Sequence, residues 1–250
     1  MIKIFLASLL LFINICAQDY KQLLKEGDEF TEKFQVLNAL NKYQEAYKVN
    51  PNDFDVLFKL TRTYNSAGEE AKELKKDSDA EKYFNKAVET AEIFYKKYPD
   101  RAEANIYMAA SYGNLGLFKG SKEKIKISNK VKQFTEKAMK INPNYYLPYT
   151  VLGKYNYEIA KLSWFEKTFA NTFLGKVPEG SFEESERLLK KAIQIEPDLI
   201  ISYYYLSLTY QEMDKEKEEK ALINKILKMP DKEFRDKYIK KKVKERLDDM

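Results

Sequence analysis

Nineteen tyrosines and fifteen phenylalanines crowd this chain of 250 residues, gathering in YYLPY, KYNYE and SYYYLSLTY. Their chemistry is recognition: aromatic rings with a few polar tips suit a protein or peptide ligand. Counted from the start of each repeating unit described below, one side of successive helices carries Phe58, Arg62 and Asn65. It continues through Ile106, Thr150, Lys154 and Tyr157 to Tyr204, Leu208 and Gln211. These are the candidates to line a concave groove, with the remaining rings filling the space between helices. A second aromatic set, Phe165, Phe169 and Phe173, recurs every four residues and so shares one helix face, extended by Leu162 and Trp164. That face is either laid over the rest of the molecule or exposed as a lid or docking helix. The few cations beside it, Lys161, Lys167 and Lys176, argue against a membrane-surface helix.

Bond-breaking chemistry has little to work with. There is no histidine, which removes Ser-His and Cys-His nucleophiles and histidine metal sites. Cys16 is the only cysteine, so neither a disulfide nor cysteine-held zinc is expected. No glycine-rich phosphate loop of the GxxxxGK or GxGxxG type is present. Paired carboxylates, such as those at 69–70 and 183–184, arise readily on helix surfaces. The chain is therefore expected not to be an enzyme and to need no cofactor and no metal. The formal charge of +5 is spread over many acids and bases, so no nucleic-acid partner is expected. KYIKKKVKERL near the end reads as a terminal helix with a solvated face.

The first residues, MIKIFLASLLLFINICAQ, form a separate object. Lys3 gives a positive start, and Ile4 to Ala17 are nearly all apolar but too few for a comfortable membrane span. This predicts a secretory signal over residues 1–17, cut after Ala17, and an exported mature chain. A lipid anchor on Cys16 and an uncleaved apolar first segment are the alternatives.

The elements that must position the groove residues come from proline punctuation. KVNPND, KKYPDR, KINPNY, QIEPDL and LKMPDK place Pro51, Pro99, Pro143, Pro197 and Pro230 at the ends of helix-like stretches. Proline stops a helix, and the Asn or Asp beside it can accept hydrogen bonds from the first N–H groups of the next. Few Gly and Pro, many Lys, Glu, Leu and Ala, and no alternating strand pattern all favour helices. Leu23, Gly27, Phe30, Ala39, Tyr43, Ala46 and Pro51 set the register of the first unit, with Gly27 and Ala39 small enough for close helix approach. Ala138 and Ala192 hold the same small position later on. Ser181, three residues before Glu184, predicts a capping box opening a late helix.

These units resemble tetratricopeptide repeats, which pair antiparallel helices in about 34 residues. The resemblance implies an all-α, tetratricopeptide-like right-handed α-solenoid of about five helix pairs with a C-terminal capping helix. It would cover residues 18–250, with an insertion at about 162–181. Two blocks are more specific: LGLFKGSKEKIKISNKVKQFTEKAMKINP and LSWFEKTFANTFLGKVPEGSFEESERLLKKAIQIEP are similar to the corresponding segments of the regulator of microtubule dynamics family. The T components of tripartite ATP-independent transporters, periplasmic helical-repeat proteins, are a second point of resemblance. Three functions follow as expectations. The first is an exported scaffold holding a protein or peptide in its groove. The second is a periplasmic accessory of solute uptake enclosing a small ligand. The third, should the N-terminal segment not be a bacterial signal, is a microtubule-associated regulator. No stable membrane span is expected in the mature chain.

Overall fold

The computed structural model describes residues 20–173 and 179–250. The expected signal segment 1–17, with the cut after Ala17 and the alternative anchor at Cys16, lies outside the described residues, as does Lys176. Helices follow one another without a strand among the described residues: α1 (20–32), α2 (Val36–Val49), α3 (Phe54–Glu73), α4 (Asp77–Lys97), α5 (Ala102–Lys119) and α6 (Ser121–Ile141). Then come α7 (Tyr146–Ala160), α8 (Trp164–Phe173), α9 (Phe182–Ile195), α10 (Ile200–Glu212), α11 (Glu216–Lys228) and α12 (Asp236–Asp248). The pairs are α1/α2, α3/α4, α5/α6, α7/α9 and α10/α11, with α8 inserted in the fourth and α12 following the fifth.

Proline divides the pairs as expected, but by a different local device. The carbonyls of Asn50, Tyr98 and Asn142 accept the N–H groups of Asp53 (3.4 Å), Arg101 (3.1 Å) and Tyr145 (3.2 Å). Each intervening proline thus sits second in a β-turn, where its fixed φ is already correct. The Asn or Asp after it occupies the third turn position and caps nothing. Of the helices that follow the five repeat prolines, only α3 gains a side-chain cap at its N-cap residue, from Asp53, which accepts the Val56 N–H at 3.1 Å. A polar side chain further along ties the turn down instead. The Asn105 amide donates to the Pro99 carbonyl (2.7 Å), and the Tyr149 and Tyr203 hydroxyls donate to the Pro143 and Pro197 carbonyls (3.0 Å each), always across six residues. Part of the tyrosine excess therefore closes turns.

Within three pairs the chain turns through one left-handed residue, Phe34 (φ 56°), Lys75 (φ 58°) or Asp214 (φ 56°). The next N–H then reaches back to Phe30, Ala71 or Tyr210, at 2.8 to 3.0 Å. This is the Schellman closure, which satisfies carbonyls left free at a helix end. The polar stretch GEEAKELKKDSD is thus mostly helix, interrupted only at Leu74–Lys76.

Large side chains of second helices seat on glycines of first helices: Tyr43 over Gly27, Phe84 over Gly68 and Leu189 over Gly153. At Gly68 an added Cβ would lie 2.6 Å from the Phe84 ring, and that ring is fixed in the core. Alanine gains about 1 kcal/mol over glycine in a helix, whereas overpacking a core costs about 1–3 kcal/mol. Gly68→Ala is therefore expected to destabilise, seen as a lower urea midpoint at unchanged slope. Ala39, Ala138 and Ala192 are fully enclosed, as their small size required.

The charged C-terminal helix does more than cap an end. Ile239 and Val243 bury one stripe of α12 against a cluster containing Ile200 of α10 and Ile223 and Ile226 of α11. The turn before it, folded by the Asp236 carboxylate accepting the Lys232 and Glu233 N–H groups (2.8 Å each), sends Phe234 into the apolar cluster of α1 to α4. From there Arg235 and Lys242 pair with Glu69 and Glu73 of α3, so the end of the chain crosses the concave side. The sequence showed the lysines of this helix; its narrow apolar stripe was hidden among them.

Candidate functional site

Where α12 crosses, it leaves a half-enclosed chamber of about 570 Å³ between itself and the inner helices α3, α5, α7 and α10, with α6 contributing from the side. Its walls are mainly apolar. Leu117, Ile127, Val131 and Val151 line one side, and Ile201, Tyr204, Tyr205, Phe234, Tyr238 and Ile239 the other.

Five basic side chains (Lys72, Lys124, Lys154, Arg235, Lys242) and three acidic ones (Glu69, Glu73, Glu158) complete the lining. The acids are all engaged. Arg235 pairs with Glu69 at 3.0 Å, Lys124 with Glu158 at 3.2 Å, and Lys242 with Glu73. Two cations are left over. Lys72 is exposed. Lys154 is inside, and among the described residues no carboxylate comes within ion-pair distance of it. Its ammonium has one long hydrogen bond, to the Asn114 side-chain oxygen at 3.4 Å, and stands 5.2 Å from the centre of the Tyr205 ring. Burial pushes its pKa down from the usual lysine value, with Glu69 and Glu158 only partly opposing the shift. Asn114 is held in turn, donating to Asn65 (3.0 Å) and to Glu69 (3.2 Å). Tyr155, also on the chamber wall, keeps a buried hydroxyl with no partner among the described residues, and burial raises its pKa to about 12. A chamber with apolar walls and one unneutralised ammonium suits an apolar body bearing an acidic group.

The expected groove residues divide sharply. Thr150, Lys154 and Tyr204 line the chamber. Asn65 stands behind it, its amide donating to Thr61 and Ser111 while its oxygen holds Asn114. Arg62 is on the concave side but is paired with Glu233 of the crossing segment at 3.5 Å. Phe58 is packed among Phe54, Phe94 and Tyr107, and Ile106 is fully buried in the core. Tyr157 is only 4% exposed, set between Phe182 and Tyr205. Gln211 is exposed and does not line the chamber, and neither does Leu208. Asn114, Tyr205 and Arg235 were not singled out by sequence, and Glu69 entered only as half of the carboxylate pair at 69–70, read as a helix surface. A register shift of one residue along α10, from Tyr204 to Tyr205, would have found one of them.

The aromatic insertion helix α8 does not bury its face. Trp164 is 71% and Phe165 78% exposed, their rings meeting edge-on at 5.1 Å, and Phe169 is 47% exposed. The side chain of Phe173 lies outside the described residues. Leu162, read as part of the same face, is instead 5% exposed and packs in the central apolar cluster, so the face divides between a buried Leu162 and the exposed rings of Trp164, Phe165 and Phe169. The start of the helix is nonetheless well fixed. The Ser163 hydroxyl accepts the Glu166 N–H (3.2 Å) and Glu166 accepts the Ser163 N–H (2.8 Å), a complete capping box. Ser121 of α6, on the chamber wall, also donates to Glu166. These bonds, that from Ser121 foremost, hold the Glu166 pKa down to about 2. The box expected at Ser181 is only half formed: Ser181 accepts the Glu184 N–H at 3.1 Å, but the Glu184 carboxylate binds Arg187 instead.

Among the described residues no group of side chains could hold a metal ion, and no helix is long and apolar enough to cross a membrane. The family described as regulator of microtubule dynamics protein 1-3 matches residues 23–250. Similar curated proteins include regulator of microtubule dynamics protein 3 of Rattus norvegicus, 24% identical over 85% of this chain and 45% of its own length. Regulator of microtubule dynamics protein 2 of Homo sapiens is 23% identical over 92% of this chain and 54% of its own. The chain thus spans about half the length of these relatives. Among solved structures, a thermophilic TPR protein of Thermus thermophilus, TTC0263, superposes with a TM-score of 0.62 at 18% identity. The match covers 90% of this chain and 98% of that one, and it supports the tetratricopeptide-like helical-repeat fold.

Proposed function

The chain belongs to the family of regulator of microtubule dynamics proteins 1-3, and we propose that it is a helical-repeat binding scaffold whose concave chamber encloses a small amphipathic anion. The observation that carries this reading is Lys154, an ammonium inside the chamber that every neighbouring carboxylate leaves unneutralised. Lys154 is half-buried, and a partly desolvated charge without a counter-charge is costly; a ligand anion offsets that cost while apolar walls take its body. A matched probe pair tests it. Anilinonaphthalene sulfonate should bind saturably, one per chain. Its neutral relative N-phenyl-1-naphthylamine should bind at least tenfold more weakly. Equal affinities would reject recognition of the anion.

A second reading, a protein or peptide partner, is favoured by Trp164 and Phe165, exposed at the rim where Ser121 holds α8. Large exposed rings beside one another are typical anchors of a protein contact. The groove that was expected to take such a partner is occupied in part by the chain's own end, which moves the candidate contact to α8. The names of the relatives refer to microtubule dynamics. Co-sedimentation with polymerised tubulin, compared between the parent and Trp164→Ala/Phe165→Ala, tests whether that partner applies here.

Export is part of the proposal and rests on the positive start, short apolar run and Ala17 of the first segment. Protein recovered from outside the cytoplasm should have a mass that begins at Gln18. A mass that retains Met1 would reject the cleavage.

A further inference from the structure

The segment that closes the chamber is attached very differently on its two sides. Towards α10 and α11 it is buried: Ile239 and Val243 lie in the last apolar cluster, and Arg246 donates to Glu219 and to Ser207 (3.2 Å). Towards α3 it is tied by ion pairs between partly exposed side chains, Arg62 with Glu233, Arg235 with Glu69, and Lys242 with Glu73. Two aromatic side chains join them, Phe234 buried in the cluster of α1 to α4 and Tyr238 packed partly buried against it, so release of this side has to draw both rings out. Ion pairs that stay partly open to water are weakened by salt, Arg62–Glu233 and Lys242–Glu73 more than the better covered Arg235–Glu69, whereas buried apolar contacts persist. The same segment supplies Phe234, Arg235, Tyr238, Ile239 and Lys242 to the wall of the half-enclosed chamber, so its position bears on how open the chamber is.

We propose that residues 229–250 form a gate over the chamber, hinged on α10 and α11 and latched to α3. The latch also connects to the ligand position. Lys154 bonds Asn114, Asn114 bonds Glu69, and Glu69 holds Arg235, so an anion arriving at Lys154 meets the inner latch residue through one continuous polar chain. Access to the chamber is then set by release of the α3 side rather than by unfolding of the repeats. The gate rests on the chamber reading only for what passes through it.

Two measurements test the gate, both in a Cys16→Ser background. In the first, Glu73→Cys and Lys242→Cys are bridged by a bis-maleimide spacer carrying a reducible disulfide. Bridging should slow release of anilinonaphthalene sulfonate at least tenfold, and reduction should restore it. The second needs no ligand. Val151→Cys places a thiol on the chamber wall, and its maleimide labelling rate is compared with and without Arg62→Met and Glu73→Gln, which remove the two outer latch pairs. Labelling should rise fivefold or more at an unchanged circular dichroism melt. Faster labelling without probe binding would retain the gate and discard the anion chamber. Probe binding with release unaffected by the bridge and labelling unaffected by latch removal would overturn the gate and leave the chamber standing.

Discussion

Lys154→Met is expected to bring the affinity for anilinonaphthalene sulfonate down to that of the neutral naphthylamine probe, a loss of tenfold or more, with the neutral probe unaffected. Methionine keeps the unbranched apolar stem and removes only the charge. Because Lys154 lacks a carboxylate partner, its removal leaves no acid stranded, and stability should not fall. The pH dependence has a definite sign. Burial places the Lys154 pKa below the usual 10.5. Anion binding should therefore be full at neutral pH and disappear as pH rises through that lowered value. In the window between it and 10.5 the unfolded chain binds more protons, so stability should rise with pH there. Below the lowered value the desolvation penalty is present in full. The informative quantity is the difference between parent and Lys154→Met in urea melts across this range, which isolates this one group. An unchanged sulfonate affinity in Lys154→Met would remove this ammonium from the site.

The largest loss of stability is expected at the hinge of the last helix, from Arg246→Leu. Glu219 is 3% exposed, and Arg246 donates to it through Nε at 3.1 Å and again through Nη2. Removing the guanidinium strands a buried carboxylate, which costs about 3–5 kcal/mol. Urea denaturation should show that loss for the single variant. Glu219→Leu/Arg246→Leu should recover most of it, since neither charge is then left alone. A loss under about 1 kcal/mol for Arg246→Leu would mean that the pair does not anchor α12.

How much of this was legible beforehand differs between features for physical reasons. Helix pairing follows from local chemistry: proline forbids continuation wherever it falls, and Gly27, Gly153 and Ala192 leave room for a neighbouring helix in any context. The register was therefore readable from residue 20 onward. Turn details were less so. Asn52, Asp100 and Asn144 have the right side chains to cap a helix, but the β-turn centred on the preceding proline places them one residue too early. The complete capping box at Ser163 had the same Ser-x-x-Glu spacing as the half-formed one at Ser181. What separates them is Arg187, which captures Glu184, and that competition depends on side-chain reach.

The sequence by itself determined the all-helical repeat and the absence of histidine and of thiols beyond Cys16, because these depend on residue type and on periods shorter than a repeat, while the family was legible only through the resemblance of two blocks to its known members. Tertiary structure alone decided which surface is available. Tyr157 and Tyr204 were both assigned to the groove side of their helices, yet Tyr157 is packed between Phe182 of α9 and Tyr205 of α10 while Tyr204 lines the chamber, an outcome set by which neighbouring helix covers each ring. It also decided that Lys154 has no acid to itself. Glu69, Glu73 and Glu158 are within the same chamber but are taken by Arg235, Lys242 and Lys124, and two of those cations arrive from more than 160 residues away, on the crossing segment. Charge neutralisation is a competition in space, and its outcome is set by which side chains the fold brings within about 4 Å.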